Sequence, residues 1–179
     1  MKDLMENWSR YLLTESSLSR IYQHVTEHDT ALLTAFRDDA SDLSSCLDTA
    51  IEGNLSNKER NRDLKAALLS LGYGVTAVDG SFIENYGNLD KQVEVKEDSF
   101  FVVNLNDGSD FTEAITSLGT KYCQDSVLII PQGGDGAYLY GTNNTDFPGI
   151  DSTIEVGDFF GGTEAEFMTR VRGRPIVFK

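Results

Sequence analysis

Three short stretches of the chain are strongly apolar: Ala31-Leu-Leu-Thr-Ala-Phe36, Phe100-Phe-Val-Val103 and Ser126-Val-Leu-Ile-Ile130. Runs of this length between turn signals predict buried strands. Elsewhere the apolar spacing changes to three and four. Leu64, Ala67, Leu68 and Leu71 fall on one helical face, opened by the capping box Ser56-Asn-Lys-Glu59 and closed by Gly72. Phe111, Ile115, Leu118 and Tyr122 repeat in the same way after the turn Asn106-Asp-Gly-Ser-Asp110 and predict a second helix. A strand from about Gly74 to Val78 leads into a polar excursion, Gly80 to Val95, which returns as the Phe100 strand. Pro131 and the turn Gly133-Gly-Asp-Gly136 fold the Ser126 strand back into Ala137-Tyr-Leu-Tyr140.

The resulting order is strand, helix, strand, strand, helix, strand. Two such halves predict an α+β fold of ferredoxin-like type, an antiparallel sheet with two helices on one face. The Gly-rich remainder predicts loops with short strands near Glu166–Val171 and Pro175–Phe178, read as an added C-terminal hairpin. Residues 40–54 read as a loop holding a short helix with Leu43, Leu47 and Ile51. At the start of the chain, Leu4, Met5, Trp8, Tyr11 and Leu12, then Leu18, Ile21, Tyr22 and Val25, predict two short helices broken near 14–17. The organisation is thus an N-terminal helical extension over 1–29 and a ferredoxin-like domain over 30–179. The sheet face away from the two helices needs a cover, either a second copy of the chain or the C-terminal extension.

The composition narrows the partners. With 179 residues and 40% hydrophobic content the chain can bury a core. No apolar run reaches the roughly 20 residues of a membrane helix, and no secretory leader is evident, so a soluble, intracellular protein is expected. A net charge of −14 opposes direct nucleic-acid binding, which requires clustered Lys and Arg. Acidity suits a cationic small ligand, plain solubility, or mimicry of DNA towards a protein partner. Cys46 and Cys123 form no close pair, so both are expected reduced, with Cys123 in the core, and no metal site is indicated.

Few motifs carry chemistry. Gly133-Gly-Asp-Gly136 lacks the Lys-Ser/Thr continuation of a phosphate loop. His24 and His28 share a helix face without a carboxylate cluster and read as a solvated surface. No nucleophile elbow is present, and a triad has no base within the domain. What remains is Glu97 at the mouth of the Phe100 strand, tyrosines, and Gln124-Asp125 beside an apolar strand. A carboxylate there can be held rigidly while facing a cleft. Such a set favours positioning and electrostatics over strong acid–base work.

Several pieces occur together in an order that resembles the phage-encoded S-adenosylmethionine lyases, formerly called hydrolases. They are Thr34-Ala-Phe-Arg37, the helix from Asn57 with Arg60 and Arg62, Gly80-Ser-Phe-Ile-Glu84, Lys96-Glu97, and Gln124-Asp-Ser-Val-Leu128. Gly136-Ala-Tyr-Leu-Tyr-Gly141 and Phe147-Pro-Gly149 extend the likeness, which spans about Ala31 to Lys179. It implies a homotrimeric ferredoxin-like enzyme with sites between subunits and no cofactor or metal. The implied reaction cleaves S-adenosylmethionine to 5'-methylthioadenosine and L-homoserine lactone in the cytoplasm of an infected bacterium, disarming host restriction.

Glu97 matches the active-site glutamate of that family. The family tyrosine aligns with Phe82 here, whereas Tyr86 lies eleven residues before Glu97. Tyr86 is therefore carried as the second catalytic candidate, with Phe82, Ser81, Gln124 and Arg37 as substrate-binding candidates. Two mechanisms stay open at this point: attack by the substrate's own carboxylate, giving the lactone, or by a water activated by Glu97, giving homoserine. Two other functions also stay open. One is a non-enzymatic acidic phage protein that mimics DNA, although Lys58, Arg60, Arg62 and Lys65 interrupt the acidity on one helix. The other is an inactive member that binds a nucleoside. Met1-Lys-Asp-Leu-Met-Glu-Asn-Trp8 also resembles N-terminal sorting segments of large tailed phages.

Overall fold

The computed structural model describes residues 19–37, 55–84, 93–144, 148–161, 167–171 and 174–178. The first helix, α1, is described over 19–27. It is followed by β1 (Thr30–Leu33), α2 (Asn57–Ser70), β2 (Gly74–Glu84), β3 (Val93–Val103), α3 (Phe111–Lys121) and β4 (Ser126–Ile130). The remaining strands are β5 (Ala137–Gly141), β6 (Thr153–Gly157), β7 (Phe159–Gly161), β8 (Phe167–Val171) and β9 (Arg174–Phe178). Among the described residues these strands form one sheet in the order β6-β5-β4-β1-β3-β2-β8-β9-β7, with every neighbouring pair antiparallel. The central order β4-β1-β3-β2 is that of the ferredoxin-like fold, which the alternation of elements predicted.

Alternation along the central strands divides the core in two. Ala31, Leu33, Phe100, Val102, Val127 and Ile129 face α2 and α3, where they meet Leu64, Leu68, Phe111, Ile115 and Leu118. Phe101, Val103, Leu128 and Ile130 face the other way and meet Ile21 and Val25 of α1, Leu139 of β5 and Phe159 of β7. Burial on both faces is the reason these strands are apolar at successive positions. The open face is thus covered by α1 before the repeat and by β5 and β7 after it. Tyr22 of α1 packs edge-on against Phe159 with ring centroids 5.1 Å apart.

Local signals explain the helix ends. Ser56 accepts from the Glu59 N–H while the Glu59 carboxylate takes the Ser56 N–H at 2.9 Å, the reciprocal capping box that opens α2. At the other end Gly72 adopts φ 84° and the Tyr73 N–H reaches back to the Leu68 carbonyl at 3.3 Å. That left-handed turn is easy for glycine and closes the helix.

Four expectations change. The excursion after Gly80 is shorter than the polar residues suggested, because β2 and β3 stay paired from Gly74↔Val103 out to Glu84↔Val93. A two-stranded ladder needs backbone pairing more than an apolar face, so hydropathy underestimates it. β6 and β7 form where the Gly-rich pattern predicts loop; both are short, and β6 is partly exposed. Cys123 is disulfide-bonded rather than reduced, since spacing along the chain does not report which sulfurs the fold brings together. His24 and His28 are half-buried rather than a solvated face, and His28 Nδ1 lies 2.8 Å from the Asp107 carboxylate. The expected helix break at 14–17 and the short helix in 40–54 fall outside the described residues.

Candidate active site

β1 leaves the sheet after Leu33, and the extended segment Thr34–Arg37 runs between the start of β4 and the first turns of α2. Buried and half-buried polar side chains hold it. Asn57 pairs with Arg37 as a strand would: its side-chain oxygen takes the Arg37 N–H at 3.0 Å and its amide donates to the Arg37 carbonyl at 2.9 Å. One helical turn later, the Asn61 oxygen takes the Ala35 N–H at 2.7 Å, and its amide donates to the Asp98 carbonyl at 2.7 Å. The Thr34 hydroxyl donates to that same carbonyl at 2.8 Å. The match is geometric: four helical residues rise about 6 Å, and two strand residues advance about 6.6 Å.

The other wall comes from the end of α3 and the start of β4. Gln124 is buried, and its amide donates to the carbonyls of Phe36 at 3.1 Å and Tyr122 at 3.3 Å. Thr142 in turn donates to the Gln124 carbonyl at 2.6 Å. The Arg37 guanidinium donates to the Cys123 carbonyl and to the Asp125 carboxylate, the latter at 3.1 Å. Arg60, buried in α2, donates to the Tyr122 carbonyl. Burial first, then the nearby Arg37 charge, lowers the Arg60 pKa from its ordinary value.

Of the residues singled out in the sequence, Arg37 and Gln124 are brought together at this wall, and both engage carbonyls of the chain itself. Glu97 stands in the β2–β3 ladder opposite Gly80, so its cross-strand position carries no side chain. It directly precedes Asp98, whose carbonyl Asn61 and Thr34 hold. Ser81 pairs in register with Lys96 and Met168, and Phe82 with Val95 and Phe167, between β3 and β8. Tyr86 lies outside the described residues. Sequence reasoning missed Asn57 and Asn61. The available signal was the pair itself: asparagine is a poor helix former, and two of them four residues apart in one helix point to partners outside it.

A family model described as the S-adenosylmethionine lyase family matches residues 49–172, more than half of the chain. The chain belongs to the S-adenosylmethionine lyase family. The matched region contains Asn57, Asn61, Glu97 and Gln124, while β1 and Arg37 lie before it. Membership in the S-adenosylmethionine lyase family makes this an enzyme that cleaves a carbon–sulfur bond of S-adenosylmethionine. Among solved structures, one titled as a phage SAM lyase in complex with S-methyl-5'-thioadenosine matches at 14% identity. The match covers 74% of this chain and 90% of that one, with a TM-score of 0.31. No curated protein matches the chain. Among the described residues no group of three or more His, Cys, Asp or Glu is placed to hold a metal ion. No helix among them is long and apolar enough to cross a membrane.

Proposed function

We propose that the chain converts S-adenosylmethionine to 5'-methylthioadenosine and L-homoserine lactone, with Glu97 as the central catalytic residue and Tyr86 orienting the substrate. The observation that carries this reading is membership in the lyase family, with Glu97 falling inside the matched region and within β3, three residues before its buried run Phe100–Val103. In the proposed step a substrate carboxylate oxygen attacks the γ-carbon. The γ-carbon–sulfur bond breaks, and its electron pair returns to sulfur, leaving a neutral thioether and a five-membered lactone. The substrate ammonium is unchanged, and the step balances without an added base, oxidant or reductant.

A sulfonium is already a good leaving group, so the enzyme's task is to hold the folded-back conformer. Such orientation can supply about 7–11 kcal/mol of the barrier. In this reading the Glu97 carboxylate attracts the sulfonium or the α-ammonium, Phe82 stacks on the nucleoside, and Ser81, Gln124 and Arg37 complete the binding set. The protein works as a homotrimer in the cytoplasm of an infected bacterium, where loss of the methyl donor disarms restriction.

The test is incubation of the purified chain with S-adenosylmethionine, with product masses followed over time and sedimentation run in parallel. Methylthioadenosine with homoserine lactone, abolished by Glu97→Gln in a folded protein, is expected. Homoserine appearing without prior lactone would replace the lyase step by hydrolysis. Intact substrate at every protein concentration would reject the reading and leave binding of a host protein by an acidic surface as the successor.

A further inference from the structure

The β1–β3 ladder runs from Thr30↔Val103 to Leu33↔Phe100. Continued by two residues, the same register would set Ala35 opposite Asp98. The groups that would bond across that next rung, the Ala35 N–H and the Asp98 carbonyl, instead each bond the Asn61 side chain, both at 2.7 Å. A side-chain amide has one acceptor and one donor face, as a peptide group does. Asn61 therefore occupies the rung as a spacer. It satisfies both strands while keeping them apart, and leaving the buried Ala35 N–H bare would be costly.

Beyond this wedge the two strands diverge. β3 continues through Asp98 and Glu97 paired with β2 alone among the described strands, through Asp79↔Asp98 and Gly80↔Glu97. Asp98 is the last β3 residue tied to the β1 side, and three groups meet there: its carbonyl, the Asn61 amide, and the Thr34 hydroxyl at 2.8 Å. Thr34 is fixed in turn by the Phe36 N–H, which donates to its oxygen at 3.0 Å. The backbone next to Glu97 is thus anchored to α2 and to the exit of β1.

We infer that Asn61 is a positioning residue for Glu97: inserted as the missing β1–β3 rung, it opens the strands beside the glutamate and fixes the backbone from which it projects. This rests on the reading of Glu97 as catalytic. Thr34 is the second anchor of the same carbonyl.

The test uses the full chain and steady-state turnover of S-adenosylmethionine. Asn61→Asp keeps the acceptor for Ala35 but sets a carboxylate oxygen against the Asp98 carbonyl at neutral pH. A misplacement of this kind is expected to lower kcat about tenfold or more, with KM within about twofold of wild type. As pH falls, the carboxyl protonates, can again donate to Asp98, and the kcat deficit shrinks. Thr34→Val removes both the donor to the Asp98 carbonyl and the acceptor of the Phe36 N–H at nearly constant shape, and is expected to lower kcat about threefold in the same direction. Ser56→Ala weakens the cap of α2 without touching the rung, and is expected to lower the melting temperature with kcat within about twofold of wild type.

Wild-type kcat in folded Asn61→Asp overturns the inference. So does a kcat loss in Ser56→Ala as large as in Asn61→Asp at equal loss of melting temperature. If Asn61→Asp does not fold, Thr34→Val decides, and unchanged kcat there overturns it. Full turnover by Glu97→Gln overturns the role of Glu97 itself, a result distinct from an inactive Glu97→Gln beside fully active Asn61→Asp and Thr34→Val.

Discussion

On one face of the central strands, α2 and α3 supply Leu64, Leu68, Phe111, Ile115 and Leu118 from two helices that lie within the ferredoxin-like repeat. On the other, Ile21 and Val25 come from α1, ahead of the repeat, and Phe159 from β7, beyond it. The first face is built by elements adjacent in sequence to the strands they cover. The second is assembled from segments on either side of that repeat, and it too requires close backbone approach. Gly134 shows this: an added Cβ there would meet Val25 Cγ1 at 2.9 Å, and the Gly134 carbonyl accepts the Phe159 N–H at 2.8 Å. Covering the open face therefore depends on a turn that brings bare backbone against α1.

Deleting core volume on each side distinguishes the two faces. Ile115→Ala, at a fully buried position between α3 and the sheet, is expected to cost about 2–5 kcal/mol in urea unfolding. Ile21→Ala removes the same atoms from the α1 face, where neighbouring Tyr22 is partly exposed and the site can collapse more easily. A loss near the lower end, about 2 kcal/mol, is expected there. Equal losses would make the two faces energetically equivalent. Gly134→Ala, strained at φ 84° and pressed on Val25, is expected to cost about 1–3 kcal/mol. The same loss in an Ile21→Ala background as in wild type would show that the turn acts independently of α1.

The smallest effect is the pH dependence of the α2 face. Hydrogen bonds from the Ser56 side chain and backbone hold the Glu59 carboxyl below its ordinary value. The unfolded chain then binds the proton more readily, so the contribution is complete above the unfolded carboxyl pKa and fades as pH falls through the folded one. The melting temperature should decline over that acid window, and by less in Glu59→Ala. An identical decline in both proteins would remove the capping box as its source.

Much of the central fold was legible. Leu64, Ala67, Leu68 and Leu71 marked α2 through their period, Ser56 and Glu59 marked its start, and Gly72 its stop, because these signals act within one turn of helix. β4 was marked by continuous apolar residues and Pro131. The polar half of the β2–β3 ladder was not legible, since its residues are joined by backbone bonds that side-chain polarity does not report. For the site, Glu97, Gln124 and Arg37 stood out by residue type and family likeness. Asn61 did not, as its role depends on where β1 and β3 stop pairing.

Near neighbours along the chain specified α2, α3, the central strands, their order and the family, because helix periods, caps and motif order are local signals. Only the tertiary structure decided what covers the open face, which carbonyls Arg37 and Gln124 engage, and that an asparagine of α2 replaces a strand rung beside Glu97. Those outcomes depend on distances between segments far apart in the chain, which are set when the sheet closes its register and the helices dock upon it.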